Sequence, residues 1–241
     1  MNNSQFSSPI FTPEEVEQYH RDGYVVARGL IPSEVALQWK TVLKERLMTD
    51  GSIDEPSGVR VWMAEAMDPL TREHVCAARL VAGLRQLIGP DVEFLSVKAV
   101  FKNAQTTFPS PWHQDWFYWQ GANKISVWIA LDDADPENGC LQMIPGSHQK
   151  VAEKREVKDG VGFAYRLTEE MVAGMPVETL PVKRGDAVFF HDLTLHASCP
   201  NSSGRERWTA IATYRSGAHK DTSTVWQTAL VLSGSSVNVT S

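Results

Sequence analysis

Residues 111–119 read PWHQDWFYW, and the conformation of this stretch decides what the rest of the chain must supply. In an extended strand successive side chains alternate between faces, so His113 and Asp115 are expected to point the same way. An imidazole beside a carboxylate is two thirds of a facial triad, the set of two His and one carboxylate that holds non-haem Fe(II) while leaving positions open. Alone, an H-x-D pair is a weak signal, because such pairs arise by chance. Its meaning depends on a second His, an anchor for a cosubstrate and a rigid scaffold.

Moving outward from that stretch, residues 92–102 form a long extended run, and 103–111 a loop rich in Thr, Ser and Pro. Downstream, ISVWIAL at 125–131 alternates, with large aliphatics on one face. DPENG at 135–139 is a dense turn signal; residues 140–144 return as a strand, and PGSH at 145–148 breaks it. Residues 149–178 are charged and irregular, carrying Lys150, Lys154, Arg155 and Lys158 without a sustained apolar face. They read as an insertion over a barrel mouth, the usual place for a substrate lid. Strands are expected over 180–183 and 186–196, a turn over 199–204, and a final strand over 208–214. Residues 217–241 read as a Ser/Thr-rich tail pinned by Trp226.

The N-terminal third is helical. Thr12-Pro13-Glu14-Glu15 opens a helix that Gly23 should end, and residues 24–30 follow as a strand. Ser33 caps a second helix, in which Val35, Trp39, Val42, Leu43 and Leu47 recur at helical spacing. Asp68-Pro69 opens a third, with Leu80, Val81, Leu84 and Leu87 on one face before Gly89-Pro90. Helices first, then short strands separated by tight turns, predict a mainly β fold. The expected core is a double-stranded β-helix (jelly roll, cupin-like) with the N-terminal helices packed on one sheet, a single domain over 1–241.

Composition narrows the function. The 241 residues are 42% hydrophobic and 22% charged, ordinary for a globular protein with a real core. A net charge of −6, with no basic runs, argues against nucleic-acid or anionic-membrane partners. Cys76, Cys140 and Cys199 are scattered and form no C-x-x-C pair, which fits a reducing cytoplasm rather than a disulfide framework or zinc knuckle. No secretory signal pattern or membrane-length apolar run is present.

His191 and His196 are the candidates for the second His. They are five residues apart, so on one unbroken strand only one can face the interior. His196 precedes a turn and a strand carrying Arg205 and Arg207. In a hairpin centred between Asn201 and Ser202, His196 lies opposite Arg207 and Ser198 opposite Arg205. A buried Arg beside an iron site has an evident use, since its planar fork binds a carboxylate through two parallel hydrogen bonds. Parity alone leaves Arg205 and Arg207 both open.

PWHQD, NGCLQMIPGSH, GDAVFFHDLTLHASCPNSSGRERW and the N-terminal HRDGYVVARGLI together resemble the phytanoyl-CoA dioxygenase family of Fe(II)/2-oxoglutarate oxygenases, over roughly residues 12–216. The resemblance implies His113, Asp115 and His196 as iron ligands and Arg207, eleven residues after the distal His, as the 2-oxoglutarate anchor with Ser198 as its helper. It places Lys102 and Trp128, more loosely, in the cosubstrate pocket. It further implies Fe(II), 2-oxoglutarate and O₂ as reactants, release of succinate and CO₂, and hydroxylation or another oxidation of a C–H bond in a small molecule. With Asp at 115, where related halogenases have a small residue, halogenation is not expected. Two rivals are a non-catalytic jelly-roll binding protein and a cupin-type metal enzyme, and the second leaves Arg207 and Ser198 without a task. The acyl-CoA substrate of the family's namesake does not transfer, because no basic patch for a CoA phosphate is evident. Among the remaining residues, His191 reads as a core histidine and His148 as a loop residue beside the lid. Trp112, Trp116, Phe117, Tyr118 and Trp119 read as core or pocket wall.

Overall fold

The first helix starts where two residues, Thr12 and Glu15, satisfy each other. The Glu15 carboxylate accepts from Thr12 N at 2.8 Å, the Thr12 hydroxyl accepts from Glu15 N at 3.3 Å, and Pro13 fills the first helical position. This capping box gives partners to backbone donors that a helix end otherwise leaves bare. Gly23 closes the helix at φ 85°, and a Cβ there would meet His148 Nδ1 and Thr194 Oγ1 at 2.6 Å, so space as well as conformation demands glycine.

The computed structural model describes residues 9–49, 59–63, 67–153, 155–157, 163–226 and 228–238. In chain order, the N-terminal part holds α1 (Pro13–Asp22), β1 (Tyr24–Ala27), α2 (Ser33–Thr49), β2 (Val59–Met63), α3 (Pro69–Val75) and α4 (Ala78–Ile88). The middle holds β3 (Val92–Lys102), β4 (Ser110–His113), α5 (Trp116–Trp119), β5 (Lys124–Ala130) and β6 (Leu141–Met143). Then come β7 (Arg155–Glu156), β8 (Tyr165–Arg166), α6 (Glu169–Val172) and β9 (Glu178–Leu180). The last are β10 (Ala187–His191), β11 (His196–Ser198), β12 (Arg207–Ser216) and β13 (Leu230–Ser233).

Two antiparallel sheets make a jelly roll. The large sheet runs β1-β10-β5-β12-β3-β13, with β2 sharing the outer edge of β3; the small one runs β4-β11-β6-β9. Registers fix which side chains share a face. Arg207 lies opposite Lys102, Thr209 opposite Val100 and Ile211 opposite Lys98; across the other edge of β12, Ile211 lies opposite Trp128 and Thr213 opposite Ser126. These residues face the barrel interior. The intervening ones, among them Ala99, Val127, Ile129, Phe189 and Trp208, face outward and pack on Trp39, Leu43, Leu80 and Leu84 of the helices. Burying each large side chain of that layer contributes about 1.5–3 kcal/mol. Polar atoms in the layer are paired: Trp39 Nε1 donates to Thr71 Oγ1 at 2.9 Å, and the Tyr214 hydroxyl donates to Val75 O at 2.7 Å.

Several local expectations change. The third helix is two helices, α3 and α4, broken at Cys76-Ala77 without Gly or Pro. The last carbonyl of α3 finds its partner in the Tyr214 hydroxyl, a tertiary contact that takes the place of a local cap. The strand expected over 186–196 is interrupted at Asp192, and its two halves belong to opposite sheets. Asp192 is fully buried and accepts from Trp119 Nε1 at 2.8 Å, Lys124 N at 2.9 Å and Asn123 Nδ2 at 3.1 Å, which fixes the corner. For the same reason β11 and β12 do not form a hairpin. β11 pairs with β4 and β6, and β12 with β3 and β5, so Ser198 and Arg207 face each other across the barrel rather than along one ladder.

Strand β13 extends the edge of β3 from within the C-terminal segment, and Trp226 packs on Trp119 at 5.1 Å and donates to Ser96 Oγ at 3.1 Å. Within 149–178, Leu167 and Val172 are buried against Trp112, Ile144 and Leu195, and Leu167 N donates to Trp112 O at 2.8 Å. The segment therefore has an apolar anchor in its second half. Lys154 and Lys158 lie outside the described residues.

Candidate active site

β4 and β11 bring His113 directly opposite His196 in register, with ring centroids 4.1 Å apart. Asp115 reaches them differently from the extended-strand expectation. β4 ends at His113, and Asp115 adopts right-handed helical angles (φ −61°, ψ −32°) at the start of α5. The carboxylate is delivered by a helical turn, not by strand alternation. Asp115 Oδ1 lies 3.6 Å from His113 Nε2 and 3.9 Å from His196 Nε2, and one ligand atom from each of the three residues falls within 4.8 Å of the others. All three are buried.

Each imidazole is turned by a backbone carbonyl two residues before it. His113 Nδ1 lies 2.8 Å from Pro111 O, and His196 Nδ1 lies 2.9 Å from Thr194 O. A carbonyl can only accept, so Nδ1 carries the proton and Nε2 presents its lone pair to the cluster, the arrangement that orients metal-bound histidines. Burial, then the neighbouring His113, pulls His196 down to about 3, so it stays neutral. For Asp115, burial pushes the pKa up. The Lys98 charge and the two imidazoles outweigh it and hold the carboxyl well below the usual range. Ser126 Oγ donates to the second oxygen, Oδ2, at 3.2 Å. Two imidazole nitrogens and one ionised carboxylate oxygen on a dry wall form a donor set suited to Fe(II).

The same cavity, of about 480 Å³, continues to a second group of residues. Arg207 is 1% exposed; its Nη1 donates to Thr209 Oγ1 at 3.2 Å, its guanidinium lies 5.5 Å from the Trp128 ring, and its Nε has no partner. Burial lowers it to about 10. Opposite it, Lys102 donates to Cys199 O, and burial with the adjacent Arg207 charge pulls it down to about 7. Gly139 makes room for this lysine: at φ 103°, a Cβ would sit 2.6 Å from Lys102 Cδ. Ser198 Oγ accepts from Ser110 N at 3.1 Å, which leaves its own O–H to donate. Two buried cations with no carboxylate paired to either among the described residues are costly unless an anion arrives. A dicarboxylate with one end here and the other at the His/Asp cluster satisfies both.

All seven residues singled out from sequence line this one cavity: His113, Asp115, His196, Arg207, Ser198, Lys102 and Trp128. Arg205 does not; it is exposed and pairs with Asp135 at 2.8 Å. Nor does His191, whose Nδ1 accepts from Leu193 N and whose pKa burial and His148 lower to about 4. Sequence reasoning passed over Gln114, which is fully buried and ties the cluster to its surroundings. Its amide donates to Leu193 O at 2.6 Å and to Lys150 O at 2.9 Å, and accepts from Ala152 N. It also passed over Ser126 and Lys98. The available signal was parity, since both stand on the same face as Trp128 or Lys102 in otherwise apolar strands.

Comparison with known proteins agrees with this geometry. The family model for phytanoyl-CoA dioxygenase (PhyH) matches residues 9–209. The L-proline trans-4-hydroxylase of Streptomyces griseoviridis is 29% identical over 232 residues, 82% of this chain and 84% of that protein. The peroxisomal phytanoyl-CoA dioxygenase of Mus musculus is 32% identical over 225 residues, 80% of this chain and 65% of that protein. Among solved structures, the epimerase SnoN in complex with Fe3+, alpha ketoglutarate and nogalamycin RO superposes with a TM-score of 0.68 at 22% identity, covering 85% of this chain and 83% of that one. The chain belongs to the phytanoyl-CoA dioxygenase family and is an Fe(II)/2-oxoglutarate-dependent dioxygenase.

Proposed function

We propose that this dioxygenase binds iron through His113, Asp115 and His196, holds the distal carboxylate of 2-oxoglutarate on Arg207 and Ser198, and oxidises a C–H bond of a small molecule of secondary metabolism. The observation that carries the reading is Arg207, a fully buried cation with an unpartnered Nε at one end of the cavity whose other end is the His/Asp cluster. Bound iron, with 2-oxoglutarate and O₂, supplies an oxidant able to break an unactivated C–H bond, releasing succinate and CO₂.

The chain's own residues do the rest. Pro111 and Thr194 turn both imidazoles so that Nε2 faces the cluster, and Ser126 leaves Oδ1 of Asp115 to the metal. Lys102 adds a second positive charge beside Arg207 for the cosubstrate carboxylate, and Trp128 packs its ring against the guanidinium. Phe163, 4.8 Å from the His113 ring, and Tyr118, whose hydroxyl donates to Tyr165 O, wall off water at the substrate side. The segment 149–178 serves as the lid of a single catalytic domain, and three unpaired cysteines fit a reducing cytoplasm.

The test is succinate release from Fe(II)-loaded protein supplied with 2-oxoglutarate and O₂ across a small-molecule library, with products identified by mass spectrometry. The reading expects a product oxidised in proportion to the succinate formed. A protein that forms no succinate with any member, although folded and iron-loaded, overturns it.

A further inference from the structure

One cation of the cavity has no task in this scheme. Lys98 stands on the interior face of β3, four residues from Lys102, which places it about 13 Å away along the strand. Its cross-strand neighbours are aliphatic, Val61 on β2 and Ile211 on β12, and all three residues line the cavity. Among the described residues its ammonium makes no hydrogen bond and no ion pair; its contact is with the face of the Trp119 ring, 5.7 Å from the centroid. Trp119 is itself fixed, by Trp226 on one side and by its Nε1–H to Asp192. The ammonium is thus steered but not neutralised. Lys98 lines the same cavity as His113, Asp115 and His196, so it stands in the chamber of the His/Asp cluster and not in an outer vestibule.

A half-buried lysine without a hydrogen bond or ion pair among the described residues, in a largely apolar cavity, is unfavourable by itself and favours an anionic occupant. Arg207, Ser198 and Lys102 already account for the distal carboxylate of the cosubstrate at the other end. We propose that Lys98 is a specificity-determining residue that binds a carboxylate of the substrate, so that the enzyme takes small organic acids, amino acids included, in preference to their neutral derivatives. This rests on the oxygenase reading above. The aromatic rings of Phe163 and Tyr118 would then cover the remainder of the acid and turn one of its C–H bonds towards the cluster.

The experiment uses the full chain loaded with Fe(II) and 2-oxoglutarate, and a panel of matched pairs: amino, imino, aliphatic and aromatic acids, each beside its carboxamide. Two readouts are taken, the melting temperature without O₂ and succinate release with O₂. Acids should raise the melting temperature and accelerate succinate release, while their amides do so at least tenfold more weakly in concentration. Lys98→Met should erase that preference, weakening the acids by roughly ten- to a hundredfold, and Lys98→Arg should restore part of it. Amides equal to acids, no acid active up to roughly 10 mM, or unchanged acid affinity in Lys98→Met would each overturn the proposal. So would a Lys98→Met variant whose main defect is in the KM for 2-oxoglutarate, since the lysine would then serve the cosubstrate. If instead the wild type shows no 2-oxoglutarate-dependent melting shift and no succinate at all, the oxygenase reading itself has failed.

Discussion

The two faces of the large sheet are made by the same strands and do opposite things. On β12, Trp208 points outward and stacks on Phe101 at 4.7 Å, in a layer that α2 and α4 seal from water. Its neighbours Arg207 and Thr209 point inward, where Lys98, Lys102 and Ser126 also face the cavity. The outer face is apolar and stabilises the fold. The inner face holds Arg207 and Lys102 buried with no carboxylate paired to either among the described residues, which lowers the stability of the free protein and prepares it for anions. A period of two residues lets one sheet carry both. Changes outside should therefore act on stability and spare the chemistry, and changes inside should do the reverse.

The sharpest break is expected on the inner side, at the cluster facing the sheet. His113→Ala, Asp115→Ala and His196→Ala should each abolish iron-dependent succinate formation while the chain still melts cooperatively. His191→Ala should retain measurable turnover, because that ring lies outside the cavity. Full activity in the His196 variant would remove it from the ligand set.

On the outer side, Trp39→Ala removes a side chain with no exposure and strands the Thr71 hydroxyl it donates to. It should lower unfolding stability by about 3–5 kcal/mol, measured by denaturant titration. At a temperature where the variant is folded, its KM for 2-oxoglutarate should match the wild type. A shifted KM would mean that the two faces are coupled through the sheet.

A smaller effect should appear in pH. Lys102 has a folded pKa of about 7, below its ordinary 10.5. Between those values the unfolded chain binds the proton and the folded one does not, so this group makes stability rise with pH across that window. Below about pH 7 both states are protonated and the penalty for burying the charge is fully present. Wild-type stability minus that of Lys102→Met should therefore climb from pH 7 towards 10, and 2-oxoglutarate should flatten the climb by favouring the charged amine. A flat difference without ligand would place Lys102 in a wetter setting than the cavity provides.

The contrast between faces also explains what could be read from the chain. The extended run at 92–102 and the alternation in 125–131 and 208–214 were legible because the helices demand apolar residues at every second position. The cavity residues, Arg207 eleven residues after His196 among them, were legible through the family resemblance. Corners were not legible. The break after His191 depends on Asp192 receiving Trp119, Asn123 and Lys124 from elsewhere in the fold, and nothing near residue 192 announces it. The same holds for Asp115, whose helical turn begins where Trp116 N donates to Asp192 O at 3.1 Å. Ser198 and Arg207 therefore meet across the barrel and not along a hairpin. Lys98 was legible in principle, as a lysine in phase with Lys102, but a single charge in an apolar strand more often reaches solvent.

The central claim is that one cavity joins the His/Asp cluster to a cosubstrate anchor at Arg207. The most direct test is an anaerobic titration of 2-oxoglutarate into Fe(II)-loaded protein, followed by melting temperature, for the wild type, Arg207→Lys and Arg205→Lys. A ligand selective for the folded state must raise the melting temperature with its concentration. Lysine keeps the charge but loses the paired N–H bonds of the guanidinium, worth about 1.5–3 kcal/mol in a dry pocket. The Arg207→Lys curve should be displaced to roughly ten- to a hundredfold higher concentration, with the Arg205→Lys curve lying on the wild type. Superposition of the Arg207→Lys and wild-type curves, or displacement of the Arg205→Lys curve instead, would contradict the account.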